Sequence, residues 1–81
     1  SDIMEETRIK QDEIFIGKNI REIRLEKGIG QTELVRRLQL QGIDITRETL
    51  VKIERGIQHL KASQLRAIKN ELNTTYDRLL K

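Results

Sequence analysis

Apolar residues recur along this chain at helical spacing, in short blocks broken by glycine, threonine or asparagine. Ile16, Ile20 and Ile23 stand at i, i+4 and i+7 and form one stripe. They predict a first helix over about residues 16–27. Gly28 follows and suits the left-handed position that stops a helix. A second helix opens near Gln31, with Gly30 as N-cap and Leu34 and Leu38 as its inward pair. It ends within residues 39–42. Residues 41–45 read as a connection in which Gly42 can take a positive φ. Thr46 then caps a third helix over about residues 47–55, closed by Gly56. Leu50 and Ile53 face inward from it, and Thr49 is expected half-buried. Leu65, Ile68 and Leu72 define a fourth helix over about residues 62–72. Asn73 tolerates a left-handed stop, and Thr75 caps a last short helix carrying Tyr76, Leu79 and Leu80.

Five short helices with short links can close one core. The expected fold is therefore all-α and compact, and 81 residues make one domain. Residues 14–81 are its body. Residues 1–13 differ, with few apolar positions (Ile3, Met4, Ile9), and read as an appended N-terminal arm, partly helical at best. Ser1 to Ile3 read as an expression scar ahead of a start at Met4.

Composition narrows the functional classes. Phe15 and Tyr76 are the only aromatics, so the core is built from Ile and Leu. Platforms for stacking single-stranded bases are lacking. Without cysteine there is no disulfide, thiolate metal site or cysteine nucleophile, which is compatible with the cytoplasmic location expected here. No apolar run is long enough to cross a bilayer, so no membrane partner is expected. The net charge of +3 is uneven. Residues 1–13 hold five acidic and two basic side chains, net −3, which leaves +6 on residues 14–81. A basic body suits phosphate binding, because neutralised phosphates release counterions.

Three stretches carry a family likeness. They are Ile16-Gly17-Lys18-Asn19-Ile20-Arg21-Glu22-Ile23-Arg24, then Gly28-Ile29-Gly30-Gln31-Thr32-Glu33-Leu34, then Thr46-Arg47-Glu48-Thr49-Leu50-Val51-Lys52-Ile53-Glu54-Arg55-Gly56. Together with Leu65 and the tail from Leu72 to Leu80, they resemble the Cro/phage-repressor helix-turn-helix family, also called the xenobiotic-response-element family. The likeness covers nearly all of residues 14–80. Its most specific pieces are the Gln opening the second helix and the Ile-Glu-Arg-Gly ending the third. It implies a lambda-repressor-like DNA-binding domain whose third helix lies in the major groove. Two departures stand out. The family usually has a small residue, often Ala, where this chain has Val35, and it has a tighter turn than residues 39–45 allow. An extended link of this kind occurs in some bacterial members of the family. The longer link leaves the fold expectation intact and the docking angle of the third helix open.

A reading helix needs one apolar face to hold it and one polar face to reach base edges. Arg47, Glu48, Val51 and Lys52 lie on the outer side of the third helix. Arg47 can fork onto guanine O6 and N7, Lys52 can donate to the same atoms, Glu48 can accept from cytosine N4, and Val51 can meet a thymine methyl. Alternatively, Glu48 and Lys52 make an i, i+4 ion pair of about 0.3–0.5 kcal/mol on a solvated face. Gln31 and Thr32 open the second helix, where free N–H groups favour a phosphate. Thr46, Arg55, Gln58 and Lys61 are further phosphate candidates. The resemblance pairs Arg24 with Glu54 as a structural bridge between the first and third helices, chemistry that suits a bidentate, partly buried contact.

His59 is the one histidine and reads as a loop residue. No nucleophile with its base and no glycine-rich phosphate loop is present, so neither an enzyme nor a cofactor is expected. The expected function is a bacterial or phage-type transcriptional regulator, most simply a repressor, binding double-stranded DNA. One reading helix makes too few contacts for operator affinity, so a homodimer on a palindromic operator is expected. Its contact surface is either the last helices, around Tyr76, Leu79 and Leu80, or the acidic arm. The alternative is a protein-interaction module, antitoxin-like, that binds a protein partner through the arm or the last helix.

Overall fold

The computed structural model describes residues 8–9 and 15–81. Among them, five helices follow in order: α1 (Ile16–Glu26), α2 (Gln31–Leu40), α3 (Arg47–Glu54), α4 (Ala62–Glu71) and α5 (Tyr76–Leu80). Two strands, β1 (Arg8–Ile9) and β2 (Leu60–Lys61), pair antiparallel, Arg8 opposite Lys61 and Ile9 opposite Leu60. The one described piece of the arm is a strand, and the rest of it lies outside the described residues. The physical reason is local: the loop before α4 is extended at Leu60–Lys61, and its open backbone groups accept a second extended segment. The expected start at Met4 lies outside the described residues.

The helices end where the sequence places its stops. Gly28, Gly42, Gly56 and Asn73 all have positive φ, between 50° and 83°. Each sits one residue past a helix cap and allows the same closing pattern. After α3, the Gly56 N–H donates to Ile53 O at 3.0 Å and the Ile57 N–H to Lys52 O at 3.1 Å. This double closure satisfies carbonyls that the helix leaves unpaired. At the other ends, Thr46 and Thr75 cap α3 and α5 by accepting from the backbone N–H of Thr49 and Arg78.

α1 packs on α3 and α5, and α2 packs on α3 and α4. The interior is the aliphatic stripe of each helix: Ile16, Ile20, Ile23, Leu34, Leu38, Leu50, Ile53, Leu65, Ile68, Leu72 and Leu79 are all buried, joined by Ile45 and Leu60 from the links. Val35 is buried too, so its extra bulk is absorbed by the core. Of the closing trio only Leu79 is enclosed, and Tyr76 and Leu80 are exposed. Asn19 interrupts the stripe of α1 and is buried, because its Nδ2 donates to Leu79 O at 2.8 Å and ties α5 to α1. No described helix is long and apolar enough to cross a membrane.

Candidate nucleic-acid interface

α3 has a dry side and a wet side. Leu50 and Ile53 are fully buried, and each contributes about 1.5–3 kcal/mol by leaving water. Arg47, Glu48, Lys52 and Arg55 are exposed on the other side, with Val51 and Thr49 half-buried between the two. The only described ion pair among them joins Lys52 Nζ to Glu48 Oε1 at 3.6 Å, with side chains 47% and 81% exposed. Such a pair holds about 0.3–0.5 kcal/mol, far less than the buried face. The inner residues therefore set where α3 sits, and the outer ones are disposable for the fold. Arg47, Glu48, Val51, Lys52, Arg55 and Ile57 together line a shallow hollow of about 490 Å³.

The orientation of α3 is fixed through Glu54 from two helices. Arg24 of α1 grips Glu54 with a fork, Nε to Oε2 at 2.8 Å and Nη2 to Oε1 at 2.9 Å. Its third nitrogen, Nη1, donates to Ile29 O at 2.9 Å. The two side chains are 6% and 2% exposed, a setting in which a planar guanidinium is better suited than an ammonium. Gln31, at the first turn of α2, donates its amide to the same Glu54 Oε1 at 3.1 Å. One carboxylate thus links the first, second and third helices.

That contact changes the picture for Gln31. Its side-chain amide turns inward to Glu54, while the first turn of α2 has no side-chain cap and Thr32 beside it is exposed. Thr46 is likewise occupied: its hydroxyl accepts from Thr49 N at 3.1 Å and donates to Thr49 Oγ1 at 3.0 Å. With its one O–H so used, it acts as a cap. Arg55 and Lys61 are exposed, Gln58 is half-buried and engaged in a contact within the chain, and His59 is exposed.

The lengthened link before α3 is tied down. Gln39 Nε2 donates to Ile45 O at 2.9 Å, and Ile45 is buried. Gln41 reaches Glu71 on α4. Sequence reasoning missed Gln64, which is buried on α4. Its Nε2 donates to Asp44 O at 3.2 Å, in the link before α3, and its Oε1 accepts from Lys61 N at 2.8 Å, at the N-cap of its own helix. The available signal was a glutamine one position before the apolar stripe that begins at Leu65.

Among the described residues, no group of three or more His, Asp or Glu could hold a metal ion. No protein-family model matches the chain, and no curated protein or solved structure matches it significantly. Function is therefore read from the geometry.

Proposed function

We propose that the chain is a sequence-specific, double-stranded-DNA-binding transcriptional regulator of the Cro/phage-repressor helix-turn-helix kind, acting as a repressor. One observation carries this reading. α3 is anchored through buried Leu50, Ile53 and the Arg24–Glu54 fork, yet its outer face presents Arg47, Glu48 and Lys52 with nothing from the described residues covering them. A helix held so firmly from behind, with an unoccupied polar front, suits the major groove. Arg47 and Lys52 would donate to guanine, Glu48 would accept from cytosine or remain paired with Lys52, and Val51 would meet a thymine methyl. Thr32, Arg55, Gln58 and Lys61 would hold phosphates, which position the helix without reading sequence.

Such a regulator needs two copies to reach operator affinity, so we expect a homodimer on a two-fold site. Selection of bound duplexes from a random pool tests the reading. A two-fold symmetric consensus is the expected result; a pool without enrichment overturns sequence-specific binding.

A further inference from the structure

Three helices end in the same glycine closure, and the residue just beyond the glycine is Ile29, Ile43 or Ile57. In this closure an apolar residue at that position usually folds back against its own helix. Ile29 and Ile43 do pack against the core. Ile57, after α3, does not: it is 63% exposed and borders the hollow along the outer face of α3. Phe15, immediately before α1, is also 63% exposed. It borders a second hollow, of about 210 Å³, with Lys18, Glu54, Arg55 and Gly56. Arg55 lines both hollows, so the two adjoin at the end of α3, and the second reaches the start of α1.

The charges along this strip are arranged for an outside partner. Glu54, the only acid of the second hollow, is consumed by Arg24 and Gln31. Lys18 and Arg55 are exposed, and among the described residues neither takes part in an ion pair. Two cations and two outward apolar side chains on one concave strip match the alternation of phosphate and deoxyribose along a duplex backbone.

We infer that the DNA footprint extends from α3 onto the beginning of α1, with Lys18 gripping a backbone phosphate next to the one held by Arg55, and with Phe15 and Ile57 lying against the intervening sugars. This rests on the DNA-binding reading above and adds to it a second contact surface that reads no bases. Lys18 therefore contributes affinity and salt dependence, and leaves base preference alone.

The experiment is a salt titration of binding to a labelled duplex of mixed sequence, for the full chain and for Lys18→Ala, Lys18→Arg, Phe15→Ser and Ile57→Ser. Lys18→Ala is expected to flatten the log–log salt slope by about 1 and to weaken binding about threefold or more near physiological salt. Lys18→Arg keeps the slope. Phe15→Ser and Ile57→Ser weaken binding with the slope unchanged. All three residues are exposed, so thermal melts should match the parent and exclude misfolding as the cause. A Lys18→Ala slope equal to the parent's, with the parent itself binding steeply, overturns this inference and leaves the α3 reading standing. A parent chain that binds no duplex overturns both.

Discussion

Arg24 and Glu54, separated by 30 residues in the chain, meet in a two-bond fork that joins the last turn of α1 to the last turn of α3. Removing either member leaves a buried charge without its counter-charge. Arg24→Ala or Glu54→Ala is expected to cost about 3–5 kcal/mol, a large part of what a domain of this size holds. The pair Arg24→Met with Glu54→Leu should recover much of that loss, since apolar groups of similar volume replace both ions. Urea denaturation of the three variants checks it; a double variant no more stable than the singles would show that the fork is valued for more than charge pairing.

Thr46 sets the start of α3. Thr46→Ala is expected to cost about 1 kcal/mol through the lost cap, which lowers the melting temperature by about 4–8 °C in a domain of this length. Thr46→Ser should stay within a fraction of that. An alanine variant with an unchanged melting temperature would show that the hydroxyl contributes nothing to the helix.

Arg47 and Gln31 should separate base reading from positioning. Once a bound sequence is selected, Arg47→Ala should lose about 1–3 kcal/mol of discrimination against random duplex, with a smaller loss on random duplex itself. Gln31→Ala should weaken binding by a similar factor on every sequence, because the lost amide steadies Glu54 at the end of α3 and is turned away from any base. Equal losses on both duplexes for Arg47→Ala would make it a phosphate contact; an altered base preference for Gln31→Ala would make it a reader.

Glu26 and Arg78 form an exposed fork between α1 and α5, with bonds of 2.9 and 3.1 Å. The hydrogen bonds from Arg78, and then its charge, lower the Glu26 pKa below the ordinary 4.5. A carboxylate whose folded pKa is depressed stabilises the fold above its unfolded pKa, and that contribution disappears as pH falls through the folded value. The Glu26 carboxyl should therefore titrate below 4.5 by NMR and move back up in Arg78→Ala. Any stability gap between parent and variant should close at acid pH. A Glu26 midpoint indifferent to Arg78→Ala would mean the fork does not persist in solution.

Helix limits and stops were legible in the chain because they depend on near neighbours. Gly28, Gly42, Gly56 and Asn73 each follow an apolar period and each adopts the left-handed turn that such a position requires. Thr46 and Thr75 act three residues ahead. Bonds between distant side chains and backbone were not legible. Asn19 reaches a carbonyl 60 residues away and Gln64 one 20 residues away, and no local pattern names such a partner. The strand pair at Leu60–Lys61 was missed for the same reason: two residues are too few to show alternation. In the candidate interface, the outward face of α3 followed from its periodicity. The inward turn of Gln31 did not, since a first-turn glutamine has equal access to solvent and to the end of the next helix.

Gln64 has a mechanical consequence. One buried amide at the start of α4 accepts from the Lys61 N–H at the N-cap of its own helix and donates to Asp44 O in the link that enters α3, like a hinge pin shared by two leaves. A displacement of the α4 N-terminus must then pull on the entry to α3.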